Sequence, residues 1–115
     1  MRHKARVVAL QALYETDCVG HDPQESLKRL AEEHALTETA LNFAKELVEG
    51  VIENKKSLDV LIQTYAPSWP VEQLSVIDRN ILRLAIFEIS INNKVPVKVA
   101  INEAVELAKA FGSDS

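Results

Sequence analysis

The stretch Val95-Pro-Val-Lys-Val-Ala-Ile-Asn-Glu-Ala-Val-Glu-Leu-Ala-Lys-Ala-Phe-Gly112 predicts most about how this chain folds. Pro96 biases the residue before it away from the helical conformation, so any preceding helix should end there. Beyond the proline, apolar residues recur at the spacing of one helical face; they are Ile101, Ala104, Val105, Ala108 and Phe111. Gly112 follows, where a chain leaving a helix readily turns left-handed. We predict a central helix over 97–111, against which the other helices pack.

The rest of the chain also has helical patterns. Asp22-Pro23 and Thr37 are start signals of helices, and the few glycines and prolines leave long uninterrupted amphipathic segments. No alternating apolar and polar run predicts a strand. Gly50 lies inside a helical pattern, which indicates the close approach of a neighbouring helix. Further helices are expected at about 3–19, 23–35, 37–51, 58–65 and 76–91, with a single turn at 71–74.

With 115 residues the chain has room for one domain, 1–115. Pro67 and Pro70 bracket a stiff linker that divides the helices into groups at about 1–66 and 70–112. We therefore predict an all-α fold, a compact bundle of about six to seven helices in two subgroups. Trp69 in the linker is interpreted as a plug between the groups rather than a surface for stacking bases.

Positive charge is concentrated at the N-terminus. Arg2, Lys4 and Arg6 place +3 in the first six residues, while the net charge of the whole chain is −4. The remainder therefore carries −7. This asymmetry is typical of a basic patch on an acidic protein, although an ordinary solvated helix start has the same composition.

The residues that could support catalysis or metal binding are scattered. His3, His21 and His34 lie in separate segments without metal-ligand spacing, and three isolated glycines make no phosphate-binding loop. Cys18 has no partner for a disulfide and is expected to be a buried, inert thiol. No apolar run is long enough to span a membrane. We predict a cytoplasmic protein without catalytic residues, metal or cofactor.

Three segments together resemble the NusB family of bacterial transcription antitermination factors. The run from Val95 to Ser115 is similar to the family's C-terminal signature. Val8-Ala-Leu-Gln-Ala-Leu-Tyr14 and Asp78-Arg-Asn-Ile-Leu-Arg-Leu-Ala-Ile-Phe-Glu-Ile89 are similar to its other two hallmarks. The segments are in the right order and cover nearly all of the chain. The same module opens a family of ribosomal RNA cytosine methyltransferases.

The resemblance implies a function and a set of contact residues. NusB proteins bind the boxA sequence of ribosomal RNA leaders jointly with NusE, a small-subunit ribosomal protein, and the pair helps RNA polymerase to read through termination signals. The implied RNA surface is Arg2, His3, Lys4, Arg6, Tyr14, Phe111 and Asp114, and Asp78 and Arg79 are assigned to the protein partner. The basic start is short here and contains only two arginines, so weak RNA affinity without the partner is expected.

Other interpretations remain open. Tyr14 fits either a stacking surface or the core. The chain could be a protein-binding helical adaptor, which would tolerate loss of the N-terminal charges, or an RNA-binding module related to the first domain of the methyltransferases. NusB proteins also continue into one more helix beyond the segment that matches Gly112. We therefore expect an apolar groove on the helix over 97–111, in a fragment or in a protein that self-associates.

Overall fold

The computed structural model describes residues 1–68 and 70–112. Within these residues the chain forms six α-helices and no β-strand, which confirms the all-α class. A 3₁₀ turn at Val71–Gln73 precedes the fifth helix, and a π-helical segment at Phe87–Asn92 extends it. No helix in this part of the chain is long and apolar enough to cross a membrane. The α-helices are α1 (Arg2–Val19), α2 (Pro23–Glu33), α3 (Glu38–Glu53), α4 (Lys55–Tyr65), α5 (Val76–Ile86) and α6 (Val97–Phe111).

The helix ends follow the capping residues of the sequence. Gly20 ends α1 with a left-handed φ of 78°. The Thr37 hydroxyl accepts a hydrogen bond from the Ala40 amide at 3.2 Å, and so caps the start of α3. Two expectations were wrong. The polar residues 54–57 were expected to separate the helices predicted over 37–51 and 58–65, but α4 begins at Lys55, so only Asn54 lies between α3 and α4. Gly112 is extended, with φ −65°, rather than left-handed.

The chain divides into two compact units, residues 1–49 and 50–115, and the boundary lies inside α3. The sequence predicted this boundary at the linker between Pro67 and Pro70. Trp69, which we interpreted as a plug between the two groups, lies outside the described residues. The first unit contains α1, α2 and most of α3. Its fully buried apolar side chains come from all three helices; they include Val8, Leu10, Leu13, Leu27, Leu47 and Val48.

The second unit contains α4, α5 and α6, and its close packing explains Gly50. A methyl group at this glycine would overlap the ring of Phe87, which is itself buried. The predicted close approach of a neighbouring segment is confirmed. The main buried side chains of this unit are Val51, Leu58, Ile62, Val71, Ile81, Leu84, Phe87, Ala100 and Leu107.

The helix α6 is less central than predicted. It packs on α5 and on the π-helical segment, but its buried residues are Ala100 and Leu107. Ile101 and Val105, which we expected to face the core, are 49% and 46% exposed. The sequence of α6 has apolar residues on several sides, so periodicity alone did not identify the buried one.

Candidate nucleic-acid interface

The first turn of α1 is basic and exposed. Arg2, His3 and Lys4 all lie on the surface, and this turn contains no acidic residue. The unsatisfied amide groups at a helix N-terminus add partial positive charge at the same place. The fold therefore concentrates positive potential at this end of α1, as an anionic partner would require.

Arg6 departs from the prediction. It is 3% exposed, and its guanidinium carbon lies 5.2 Å from the centre of the Phe43 ring on α3. Arg2, one turn earlier, lies over the same ring at 4.5 Å but remains exposed. Arg6 thus belongs to the packing between α1 and α3, and the exposed basic group is reduced to Arg2, His3 and Lys4.

Tyr14 is on the surface and not in the core. Its side chain is 39% exposed, and it follows His3 by eleven residues, or about three helical turns and 16 Å along the axis. The eleven-residue spacing places the ring on the side of α1 that His3 occupies, whereas Arg2 and Lys4 lie about 120° and about 80° around the helix. An exposed aromatic ring on a basic surface is suited to stacking against an unpaired base.

Cys18 was expected to be buried and inert, but it is exposed. It follows Tyr14 by one turn of α1. A hydrogen bond with the Cys18 side chain, and next the charge of that group, raise the pKa of the Tyr14 hydroxyl above its ordinary value. Tyr14 is therefore neutral at physiological pH, and its hydroxyl is engaged with Cys18.

Glu15 fixes the connection between α1 and α2. Its carboxylate accepts hydrogen bonds from His21 Nδ1 at 3.0 Å, from Ser26 Oγ at 2.8 Å and from the Arg29 guanidinium. The hydrogen bond from His21 is the largest cause of a pKa lowered to about 2; those from Arg29 and Ser26 add to it, and partial burial opposes it. The carboxylate stays ionised and holds the residues that follow Tyr14 in place.

Sequence reasoning missed two residues of the first unit. Phe43 was not singled out, because a phenylalanine at an apolar position of α3 looks like any core residue. Gln11 was also passed over, although it belongs to the segment that ends at Tyr14. The Gln11 Oε1 atom is buried and accepts no hydrogen bond from the described part of the chain. Neither the contact of Phe43 with two arginines nor the burial of Gln11 Oε1 can be recognised from the sequence.

The predicted C-terminal contributors are in the second unit. Phe111 is half-buried at the last position of α6. Asp114 lies outside the described residues. Both therefore remain predictions of the resemblance.

Asp78 and Arg79, assigned to a protein partner, lie at the start of α5. Arg79 donates hydrogen bonds to the carbonyl groups of Val71 at 3.1 Å and Leu74 at 3.0 Å, so it braces the preceding 3₁₀ turn. Asp78 borders a groove of about 480 Å³, whose apolar lining includes Leu74, Ile81 and Leu82. Of the two residues, Asp78 is the better placed for a partner.

Two further charged residues, Arg83 on α5 and Glu88 on the π-helical segment, do not face solvent. Arg83 and Glu88 are buried. Arg83 makes a two-pronged ion pair with Asp59 of α4, at 2.7 Å from Nε to Oδ1 and 2.8 Å from Nη2 to Oδ2. This geometry is the strong form of an arginine–carboxylate contact, and it joins α4 to α5.

Comparison with known proteins extends these observations to a family. The model of the NusB family matches residues 3–115. The chain belongs to the NusB family. It is therefore a member of a family of transcription antitermination factors. It is 58% identical to a transcription antitermination protein NusB from Dehalococcoides mccartyi strain CBDB1, over 99% of this chain and 80% of the relative. A NusB from Roseiflexus castenholzii is 44% identical and matches the whole chain and 82% of its own length.

Solved NusB structures share the fold. NusB of T. maritima superposes on this NusB-family chain with a TM-score of 0.88 and 32% identity, and the match covers 99% of this chain and 80% of the other. A structure of the antitermination factors NusB and NusE in complex with dsRNA has a TM-score of 0.86 and 26% identity, over 98% and 85% of the two chains. The recognised resemblance and the all-helical NusB architecture are both confirmed.

Proposed function

We propose that this chain binds boxA-type RNA of ribosomal RNA leaders together with NusE, and that the complex acts on RNA polymerase to promote read-through. The exposed basic turn at the start of α1, with Tyr14 exposed three turns further along the helix on the side of His3, is the observation that carries this proposal. Membership in the NusB family supports it, as does the related structure in which NusB is bound to NusE and dsRNA.

The residues divide into two roles. Arg2, His3 and Lys4 contact phosphates, a sequence-independent interaction that weakens as the salt concentration rises. Tyr14 stacks a base that is splayed out of the strand. Both roles are binding roles, so the chain acts without catalysis, as a factor of the bacterial cytoplasm where transcription takes place.

The phosphate role is tested by removing two charges. The Arg2→Ala/Lys4→Ala variant should bind labelled boxA RNA more weakly. The slope of log K against log salt should become shallower by about 0.7 for each single-strand phosphate that is no longer neutralised, or about 1.4 in all. The matched control is Lys55→Ala/Lys56→Ala, which removes two charges at the exposed start of α4. Equal effects in both variants, or no effect in the first, would refute a localised phosphate site.

The stacking role has its own test. Stacking of one base on an aromatic side chain contributes about 1–3 kcal/mol by alanine substitution, so Tyr14→Ala should weaken RNA binding by about 5- to 150-fold. Tyr14→Phe keeps the ring and should retain most of the affinity. If Tyr14→Phe is as weak as Tyr14→Ala, the hydroxyl and not the ring makes the contact.

NusE is expected to use another surface. Outside the first six residues the chain carries −7, and a basic ribosomal protein is steered by charge of the opposite sign. Binding of NusE should therefore persist in the Arg2→Ala/Lys4→Ala variant and should slow as salt rises. Loss of the NusE complex in this variant would show that the two surfaces overlap.

The exposed apolar side of α6 supports self-association as a further property. Val97, Ile101 and Val105 follow one another at four-residue intervals, so they share a side of α6, and they are 46–49% exposed. Clustered apolar residues on a surface mark an interaction site. The occupant we propose is a second copy of the chain. Sedimentation should show association that Ile101→Lys abolishes; a monomer at every concentration would contradict it.

A further inference from the structure

The ring of Phe43 is shared by two cations. Arg2 and Arg6 are one turn apart on α1, and their guanidinium carbons lie 4.5 Å and 5.2 Å from the centre of the ring. Phe43 is 8% exposed. The face of an aromatic ring attracts cations because its π-electrons carry negative charge. A single side chain of α3 therefore holds two positive charges at the start of α1.

The two arginines differ in what they can reach. Arg6 is buried and has further polar interactions in the structure. Arg2 is exposed, and within residues 1–68 and 70–112 it pairs with no carboxylate. The contact with Phe43 is thus the interaction that restricts the Arg2 side chain while leaving its N–H groups accessible. A long arginine side chain otherwise samples many rotamers, and ordering it opposes binding.

We propose that Phe43 is a positioning residue of the RNA surface. Its ring holds the Arg2 guanidinium at one place before RNA arrives, so less conformational freedom is lost when Arg2 meets a phosphate. Arg6, over the same ring, keeps a second positive charge close to that place. This inference rests on the proposed RNA-binding function and adds a residue that itself touches no RNA.

An aliphatic side chain would fill the same space but would not attract a cation. Phe43→Leu is therefore the first variant. A cation–π contact at an exposed site corresponds to about a twofold to fivefold change in affinity. Phe43→Leu should weaken boxA RNA binding by this factor when Arg2 is present, and should have no effect in the Arg2→Ala background. A residue that serves only the core would produce the same loss in both backgrounds.

A second variant separates the charge distribution of the ring from its shape. Pentafluorophenylalanine at position 43 keeps the apolar ring but withdraws electrons from its face, so it should behave as Phe43→Leu does in RNA binding. Thermal unfolding monitored by circular dichroism and binding of NusE serve as controls for folding. If Phe43→Leu fails to fold, RNA binding by the fluorinated variant tests the inference in its place.

The outcomes separate this inference from the proposed function. If neither Arg2→Ala/Lys4→Ala nor Phe43→Leu alters RNA binding, the RNA surface itself is misplaced. If the charge variant binds weakly but both Phe43 variants bind as the natural protein does, Phe43 has no positioning role. Equal losses with and without Arg2 would also overturn the inference. We expect both Phe43 variants to weaken RNA binding when Arg2 is present and to have no effect on it in the Arg2→Ala background.

Discussion

The Glu15 carboxylate is predicted to contribute much of the stability of the first unit. We consider Glu15→Gln, which removes the negative charge but keeps the shape. The pKa of Glu15 falls from 4.5 to about 2 on folding, and each unit of difference corresponds to about 1.4 kcal/mol, so the full effect is about 3 kcal/mol. The side chain is 19% exposed, and a glutamine oxygen still accepts a hydrogen bond. We therefore expect a loss of about 2 kcal/mol in the free energy of unfolding at pH 7.

The same substitution should alter the dependence of stability on pH. Because the pKa of Glu15 is lower in the folded state than in the unfolded state, its contribution is fully present above about pH 4.5. It is lost as the pH falls from 4.5 towards 2. The natural protein should lose stability across this window more steeply than Glu15→Gln does.

Urea unfolding at several pH values, monitored by circular dichroism, measures both effects. The matched control is Glu33→Gln, which removes the other carboxylate near Arg29. That pair is 3.7 Å apart with both side chains about half exposed, and such pairs contribute only about 0.3–0.5 kcal/mol. The reasoning is refuted if Glu15→Gln and Glu33→Gln have equal effects, or if the pH profile of Glu15→Gln runs parallel to that of the natural protein.

Two other substitutions and one chemical-labelling experiment test particular features of the structure. Gly50→Ala should lower the free energy of unfolding by about 1–2 kcal/mol, because overlap with the Phe87 ring outweighs the ~1 kcal/mol gained in helix propensity. In the Phe87→Leu background the alanine should cost less. If the effects of the two substitutions on the free energy of unfolding simply add, this account is wrong. Asp59→Asn should cost about 2 kcal/mol in urea unfolding, since it removes the negative charge that pairs with the buried Arg83; the cost is below that of a fully buried pair because the Asp59 side chain is 32% exposed, and a neutral effect would show that the ion pair contributes little. The exposed Cys18 thiol should react with iodoacetamide in the folded protein as readily as in urea; protection in the native state would contradict its exposure.

The fold could be predicted from the sequence because local signals are repeated along the chain. Gly20 ends a helix because it adopts a left-handed conformation. Pro23 begins one because it lacks the N–H group that would be unsatisfied there. Thr37 begins another because its hydroxyl accepts a hydrogen bond from the first turn. These effects act within one turn, so no knowledge of packing is needed. In α6, by contrast, Ala100 and Leu107 are buried while larger apolar residues are exposed. Only the packing partners of a helix determine which of several apolar sides is covered.

The candidate site could be predicted only in part. The concentration of positive charge at residues 2–4 is visible in the sequence, and it lies on the surface as expected. Burial of Arg6 was not predictable, because it depends on the distant Phe43. Exposure of Cys18 was missed because free cysteine is among the most buried residue types, whereas this one lies on the surface beside Asp17. Contacts between residues far apart in the chain have no signal in local periodicity.

The most direct test of RNA recognition is one titration. Fluorescein-labelled boxA RNA and a scrambled RNA of the same length and composition are titrated with the chain in the presence and absence of NusE, at constant moderate salt. We predict weak binding by the chain alone, tighter binding when NusE is present, and a preference of the complex for boxA over the scrambled RNA. If NusE forms a complex with the chain and that complex binds both RNAs equally or neither of them, the proposed function is wrong.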